Sequence, residues 1–224
     1  MAESQQLSRA SALPQRPWDA RLARWLVTPL RNTGVTPNHL TTVRLIVGLA
    51  AAAAFVPGTY GWSNLGALLL VASNFLDHTD GELARISGKT SRFGHIYDLA
   101  SDALITILLF IAIGVGVAAR DNVSLPVAPE VLGALAGGGT ALIFFLRMRI
   151  EEMAGKGASR QASFGGFETE DVLYLLPLVT VSNGLVPFLV AASIGAPLFA
   201  IWVIVDYRRV ARRVQASGPS SSVA

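Results

Sequence analysis

Four carboxylates, Asp77, Asp80, Asp98 and Asp102, stand in a stretch reading DHTDGELARISGKTSRFGHIYDLASD. Apolar runs flank it, Leu65–Leu76 before and Leu104–Ala119 after. A carboxylate near membrane depth is costly, and it marks a site with a charged partner. At 100° per residue, Asp77 and Asp80 fall about 60° apart around a helix, and Asp98 and Asp102 about 40° apart. Gly81 and Ala84 share the face of the first pair, and Gly94 that of the second. Each helix thus offers two carboxylates on a stripe cleared of bulk, where a ligand or a backbone can come close. If the chain turns back at Ser87–Arg92, the two stripes can face each other. Oxygen donors converging in this way suit one or two hard divalent cations. Without a cation, four like charges would repel one another. The plainer alternative is a set of helix-end carboxylates exposed at the membrane surface.

The elements that must position these groups follow from hydropathy. Of 224 residues, 52% are hydrophobic and 15% charged, which points to an all-α integral membrane protein. Spans of about 20 apolar residues are expected at roughly 38–56, 63–84, 95–118, 130–148, 171–187 and 188–206, the last two divided only by Ser182–Gly184. Trp18–Leu30 repeats its apolar residues near helical spacing with Arg21 and Arg24 between them. That pattern predicts an amphipathic helix lying along the headgroups, or else packed on the protein. Thr36 and Pro37 read as the start of the first span, with proline at the first helical position. Arg44, two turns in, can pair with a phosphate, pair with one of the Asp residues, or snorkel to the interface. The expected organisation is a start and juxtamembrane helix over 1–35, a transmembrane catalytic domain over 36–213 and a disordered tail over 214–224.

Lys and Arg placement sets the orientation. Basic residues gather before the first span, between spans two and three (Arg85, Lys89, Arg92), between four and five (Arg147, Arg149, Lys156, Arg160) and after the sixth; Arg120 alone falls on the other side. The positive-inside rule puts both termini, the carboxylates and the 149–170 loop in the cytoplasm, with the chain in the cell's inner membrane. The same rule accounts for the net charge of +3, so nucleic acid is not an expected partner. With no Cys and three scattered His, disulfide, thiol and zinc chemistry are not indicated. Glu151, Glu152, Glu168, Glu170 and Asp171 read as solvated loop charges.

The pattern Asp77-x2-Asp80-Gly81-x2-Ala84-Arg85-x8-Gly94-x3-Asp98-x3-Asp102 resembles, without gap or substitution, the signature of the CDP-alcohol phosphotransferases. Elsewhere the resemblance is to the hydropathy plan and to Thr-Pro-Asn before the first span. It implies transfer of a substituted phosphate from a CDP-linked lipid such as CDP-diacylglycerol to the hydroxyl of a small polar alcohol, with release of CMP. Mg²⁺ or Mn²⁺, two ions in all, would be held by Asp77, Asp80, Asp98 and Asp102. Asp102 would double as general base, which requires that the same cations acidify the hydroxyl, since they weaken its own basicity. Gly81 and Ala84 would floor the cytidine with Asp77 beside them, and Arg85 would grip the diphosphate. A homodimer is implied too. Arg147, Arg149 and Arg160 are the candidates to meet an anionic acceptor such as a polyol phosphate. His78 and His95 occupy positions that the signature leaves free. Asp98-Leu99-Ala100-Ser101-Asp102 lacks both the Pro-Leu-Ala-Asp-Lys run of phosphatidylglycerophosphate synthases and the Ala-Thr and following Arg of phosphatidylinositol-phosphate synthases. The acceptor therefore stays open. Two other classes use acids at membranes: an Mg²⁺-dependent prenyltransferase, expected to have two well-separated Asp-rich loops, and a cation-coupled transporter, expected to have midplane carboxylates and broken helices.

Overall fold

The computed structural model describes residues 18–121, 123–155 and 174–216, all of them helix or short connections. In chain order the helices are α1 (Trp18–Val27), α2 (Pro37–Phe55), α3 (Tyr60–Ser87), α4 (Arg92–Ala118), α5 (Pro129–Ala154), α6 (Leu176–Val181) and α7 (Leu185–Ala216), with a 3₁₀ turn at Thr28–Leu30. Four of them, α2, α4, α5 and α7, are long and apolar enough to cross a membrane. The molecule is a membrane protein. Helix α3 is 28 residues long, but Asp77, Asp80, Glu82 and Arg85 all fall within its last three turns and lower its hydropathy. Of the expected fifth span, residues 174–187 are described, and they form no single long helix: α6 ends at Val181, a turn follows, and α7 already begins at Leu185.

Local chemistry sets the helix ends. Helix α2 opens at Pro37, whose missing N–H is one a helix start leaves unpaired anyway. The backbone N–H of Thr36 donates to His39 Nδ1 at 3.3 Å. Helix α3 stops at Gly88, which takes φ +69° and donates its N–H to the Ala84 carbonyl. Ser91 then caps α4 by accepting from the Gly94 N–H at 2.9 Å. The chain turns back at 88–91, as the sequence suggests.

The packing has one unexpected feature. Helices α3 and α4 both lie against α2, and among the described residues their Cα atoms stay more than 8 Å apart, so that they meet through side chains alone. Helix α5 packs on α4, and α7 on α5. A core of Ala51, Phe55, Leu70, Ile105, Leu109 and Ile113 ties α2, α3 and α4 together, and α6 and α7 add Leu176 and Leu189. At the end away from the carboxylates, glycines let backbones touch. A Cβ on Gly116 of α4 would collide with the Phe55 carbonyl, and one on Gly58 (φ +68°) with the Gly116 carbonyl. Arg120 Nε donates to the Gly58 carbonyl there at 2.9 Å. Helix α1 seats Ala23 and Val27 against the protein and leaves Trp25 72% exposed.

Candidate active site

Because α3 and α4 stand apart, their acidic stripes look across a gap, and α2 fills it with a single side chain. Arg44 is 1% exposed. Its Nη1 donates to Asp77 and, at 2.6 Å, to Asp98 Oδ1, and its Nη2 donates to Asp102. The Arg44 carbonyl accepts from Ser73 Oγ of α3 at 3.1 Å, fixing the backbone from which the guanidinium reaches. Of the three partners left open by sequence, Arg44 takes the Asp residues.

Asp77, Asp98 and Asp102 each place a carboxylate oxygen within 4.8 Å of the other two. The fourth carboxylate is turned elsewhere. Asp80 is 5% exposed and accepts a hydrogen bond from Thr41 Oγ1 of α2 at 2.7 Å. Three all-oxygen donors at this spacing fit a hard divalent cation. When ionised, the three carry two more negative charges than Arg44 neutralises, so cationic charge is still wanted at the site.

The other residues of the stretch divide. Arg85 folds back along α3, with Nε donating to the Gly81 carbonyl at 3.0 Å and Nη1 lying 3.3 Å from Glu82 Oε1. Gly81 is open toward solvent apart from that guanidinium. Gly94 is small for a different reason: its Cβ would come 2.8 Å from Asn38 Oδ1, where the start of α2 crosses α4. Tyr97 of α4 meets Thr42 of α2 at 3.0 Å beside this crossing.

A cavity of about 440 Å³ opens beside the carboxylates between α3, α4, α5 and α7. Asp77, His78, Asp102 and Arg147 all line it, with a mostly apolar wall that includes Phe110 and Phe188. Arg147 lies over the Phe199 ring, 5.6 Å from its centroid. Arg149 does not line this cavity; it pairs with Glu152 at 2.6 Å. Arg160 lies outside the described residues. Glu151 and Glu152 belong to the last turn of α5 instead of a loop, and Glu151 Oε1 is 3.7 Å from His95 Nε2 of α4. The polar cavity residues Asn74, Thr106 and Thr140 escaped the sequence reading, because single polar residues in apolar runs carry no spacing signal.

Known proteins share this plan. The chain is similar to archaetidylinositol phosphate synthase of Pyrococcus horikoshii, with 28% identity over 176 residues, covering 78% of this chain and 81% of that protein. It is also similar to cholinephosphotransferase 1 of Danio rerio, 34% identical over 98 residues, 40% of this chain and 25% of that one. Among solved structures, phosphatidylinositol phosphate synthase of Mycobacterium tuberculosis with manganese and citrate aligns with a TM-score of 0.58 and 22% identity, over 92% of this chain and 93% of that chain. The same enzyme with CDP-DAG bound aligns with a TM-score of 0.55 and 23% identity, over 92% and 98%. The profile of the CDP-alcohol phosphatidyltransferases matches residues 34–207, enclosing Arg44 and all four carboxylates, and the chain belongs to that family, whose enzymes move a substituted phosphate from a CDP-linked alcohol to a hydroxyl and release CMP.

Proposed function

We propose that the carboxylate cluster is the catalytic centre of a phospholipid synthase whose acceptor is a phosphorylated polyol. The observation that carries the acceptor is the cavity itself, where Arg147 lines the same space as Asp77 and Asp102. The two synthases named above support the class, since both are named for inositol phosphate lipids. Against the inositol phosphate synthases stands the segment at Asp98–Asp102, which lacks the Ala-Thr and following Arg of that class; here Arg147 supplies the positive charge. Reaction depends on Mg²⁺ or Mn²⁺, held by Asp77, Asp98 and Asp102, with Asp80 as the fourth carboxylate. When bound, the ion neutralises phosphate oxygens and makes phosphorus more electrophilic.

The chain's own residues do the rest. Asp102 faces the cavity and takes the proton of the acceptor hydroxyl as its oxygen attacks the lipid-side phosphorus and CMP departs. Arg85 reaches the diphosphate by giving up its hydrogen bond to Gly81 and its ion pair with Glu82 along its own helix. Gly81 and Ala84 give the cytidine a flat surface. The apolar cavity wall suits the hydrocarbon of CDP-diacylglycerol or a related CDP-linked lipid. A prenyltransferase or a transporter is set aside by the family assignment.

The setting belongs to the same proposal: six spans with both termini and the cluster on the cytoplasmic side of the inner membrane, α1 along the headgroups with Trp25 outward, a catalytic domain over 36–213 and a homodimer. The experiment is CMP release by the detergent-purified protein from CDP-diacylglycerol with Mg²⁺ or Mn²⁺, acceptors supplied one at a time and the lipid product weighed by mass spectrometry. Asp102→Asn is expected to slow release by at least about 10²-fold, and Arg147→Ala to raise the acceptor KM while leaving nucleotide binding unchanged. Full CMP release by Asp102→Asn sinks the catalytic assignment. Turnover with only uncharged alcohols sinks the acceptor.

A further inference from the structure

Arg44 has no part in the chemistry just described, yet its charge is almost completely buried at the centre of the site. Its guanidinium cannot shed its charge as a lysine can, and its planar fork can serve several carboxylates together. Here it serves three, from two helices whose main chains stay apart. Those oxygens belong to the carboxylates that a divalent cation would use. A 2+ ion among them would lie within a few ångströms of the guanidinium, in surroundings that screen repulsion poorly. Ion and guanidinium would compete for the same oxygens, and further negative charge arriving with the ion, such as a diphosphate, would ease that competition.

We propose that Arg44 is a resident, displaceable counter-cation: it holds the metal-free carboxylates of α3 and α4 together, lowers their affinity for a lone divalent ion, and so ties metal uptake to the arrival of the diphosphate. The inference rests on the reading of Asp77, Asp98 and Asp102 as metal-holding groups. It assigns Arg44 a positioning role, felt in metal affinity and in metal-free stability, separate from the transfer step.

The test uses detergent-purified, chelator-stripped full-length protein, with Mn²⁺ binding followed by electron paramagnetic resonance and thermal unfolding followed with and without Mn²⁺. Arg44→Gln should bind Mn²⁺ at least about tenfold more tightly than wild type without nucleotide. It should also unfold at a lower temperature when metal-free and recover more of that loss on Mn²⁺ addition. Adding CDP should tighten Mn²⁺ binding in wild type more than in Arg44→Gln. Unchanged or weaker Mn²⁺ binding by folded Arg44→Gln overturns the inference. Should Arg44→Gln fail to fold, Arg44→Lys decides: its shorter, non-planar ammonium reaches fewer of the carboxylates, so tighter Mn²⁺ binding than wild type supports the proposal and equal or weaker binding overturns it. Asp98→Asn separates the two layers. Weaker Mn²⁺ binding in Asp98→Asn with no change in the Arg44 variant removes only the role of Arg44. Equal binding by wild type and Asp98→Asn removes the metal reading and this inference together.

Discussion

Asp80 and Thr41 make the sharpest single-residue comparison with the other carboxylates. Among the described residues the Thr41 hydroxyl is the hydrogen-bond donor seen on Asp80, and both residues are buried. Removing a donor from a buried acceptor costs about 1–3 kcal/mol. Thr41→Val should therefore lower the unfolding temperature measurably, and Thr41→Ser should restore most of it, as thermal melts of the two variants in detergent would show. If Thr41→Val melts like wild type, the bond contributes nothing. The carboxylate spacing was legible in the sequence because i, i+3 and i, i+4 neighbours share a helix face wherever the helix sits. The orientation of Asp80 was not, since it is decided by a hydroxyl on another helix. The same limit left Arg44 with three possible partners: only the position of α2 between α3 and α4 selects among them. Arg149 shows the converse, a candidate for the acceptor whose partner, Glu152, sits a turn away on its own helix.

Among the elements, α2, α3 and α4 could be read from hydropathy to within about three residues, whereas α5 runs on past its expected end at 148 to Ala154, through charged residues that hydropathy assigns to a loop. The turn at Ser182–Gly184 could be read too, and the structure places it just before α7. The glycine contacts at the far end could not, because Gly58, Gly114 and Gly116 differ from any membrane glycine only in what they touch. Gly116 packs its Cα face on the Phe55 carbonyl and near the Gly58 Cα, and Gly114 approaches Gly133 of α5. Backbone atoms cannot step aside as side chains do, so one methyl group must part α4 from the α2–α3 turn. Gly116→Ala should cost about 1–3 kcal/mol of stability. Gly88→Ala, at a helix end with open space around it, should cost less, only the strain of its positive φ. Equal unfolding temperatures for Gly116→Ala and wild type would show that the contact is loose.

For the molecule as a whole, metal and membrane orientation are the properties to test. Stripping divalent ions with a chelator should abolish CMP release, and Mn²⁺ or Mg²⁺ should restore it; release that survives chelation would contradict the metal requirement. The chain has no Cys, so single cysteines report orientation cleanly. In right-side-out cells, a membrane-impermeant maleimide should label Arg120→Cys and spare Lys89→Cys, and the reverse pattern would invert the proposed topology. The fused backbones around Gly58, Phe55, Gly116 and Arg120 carry a mechanical consequence. Helices joined so closely at one tip have little freedom except to swing about that tip, like the arms of tongs, and the largest travel falls on the jaws where the acids stand. Any opening of the acidic end would then pivot on main chain.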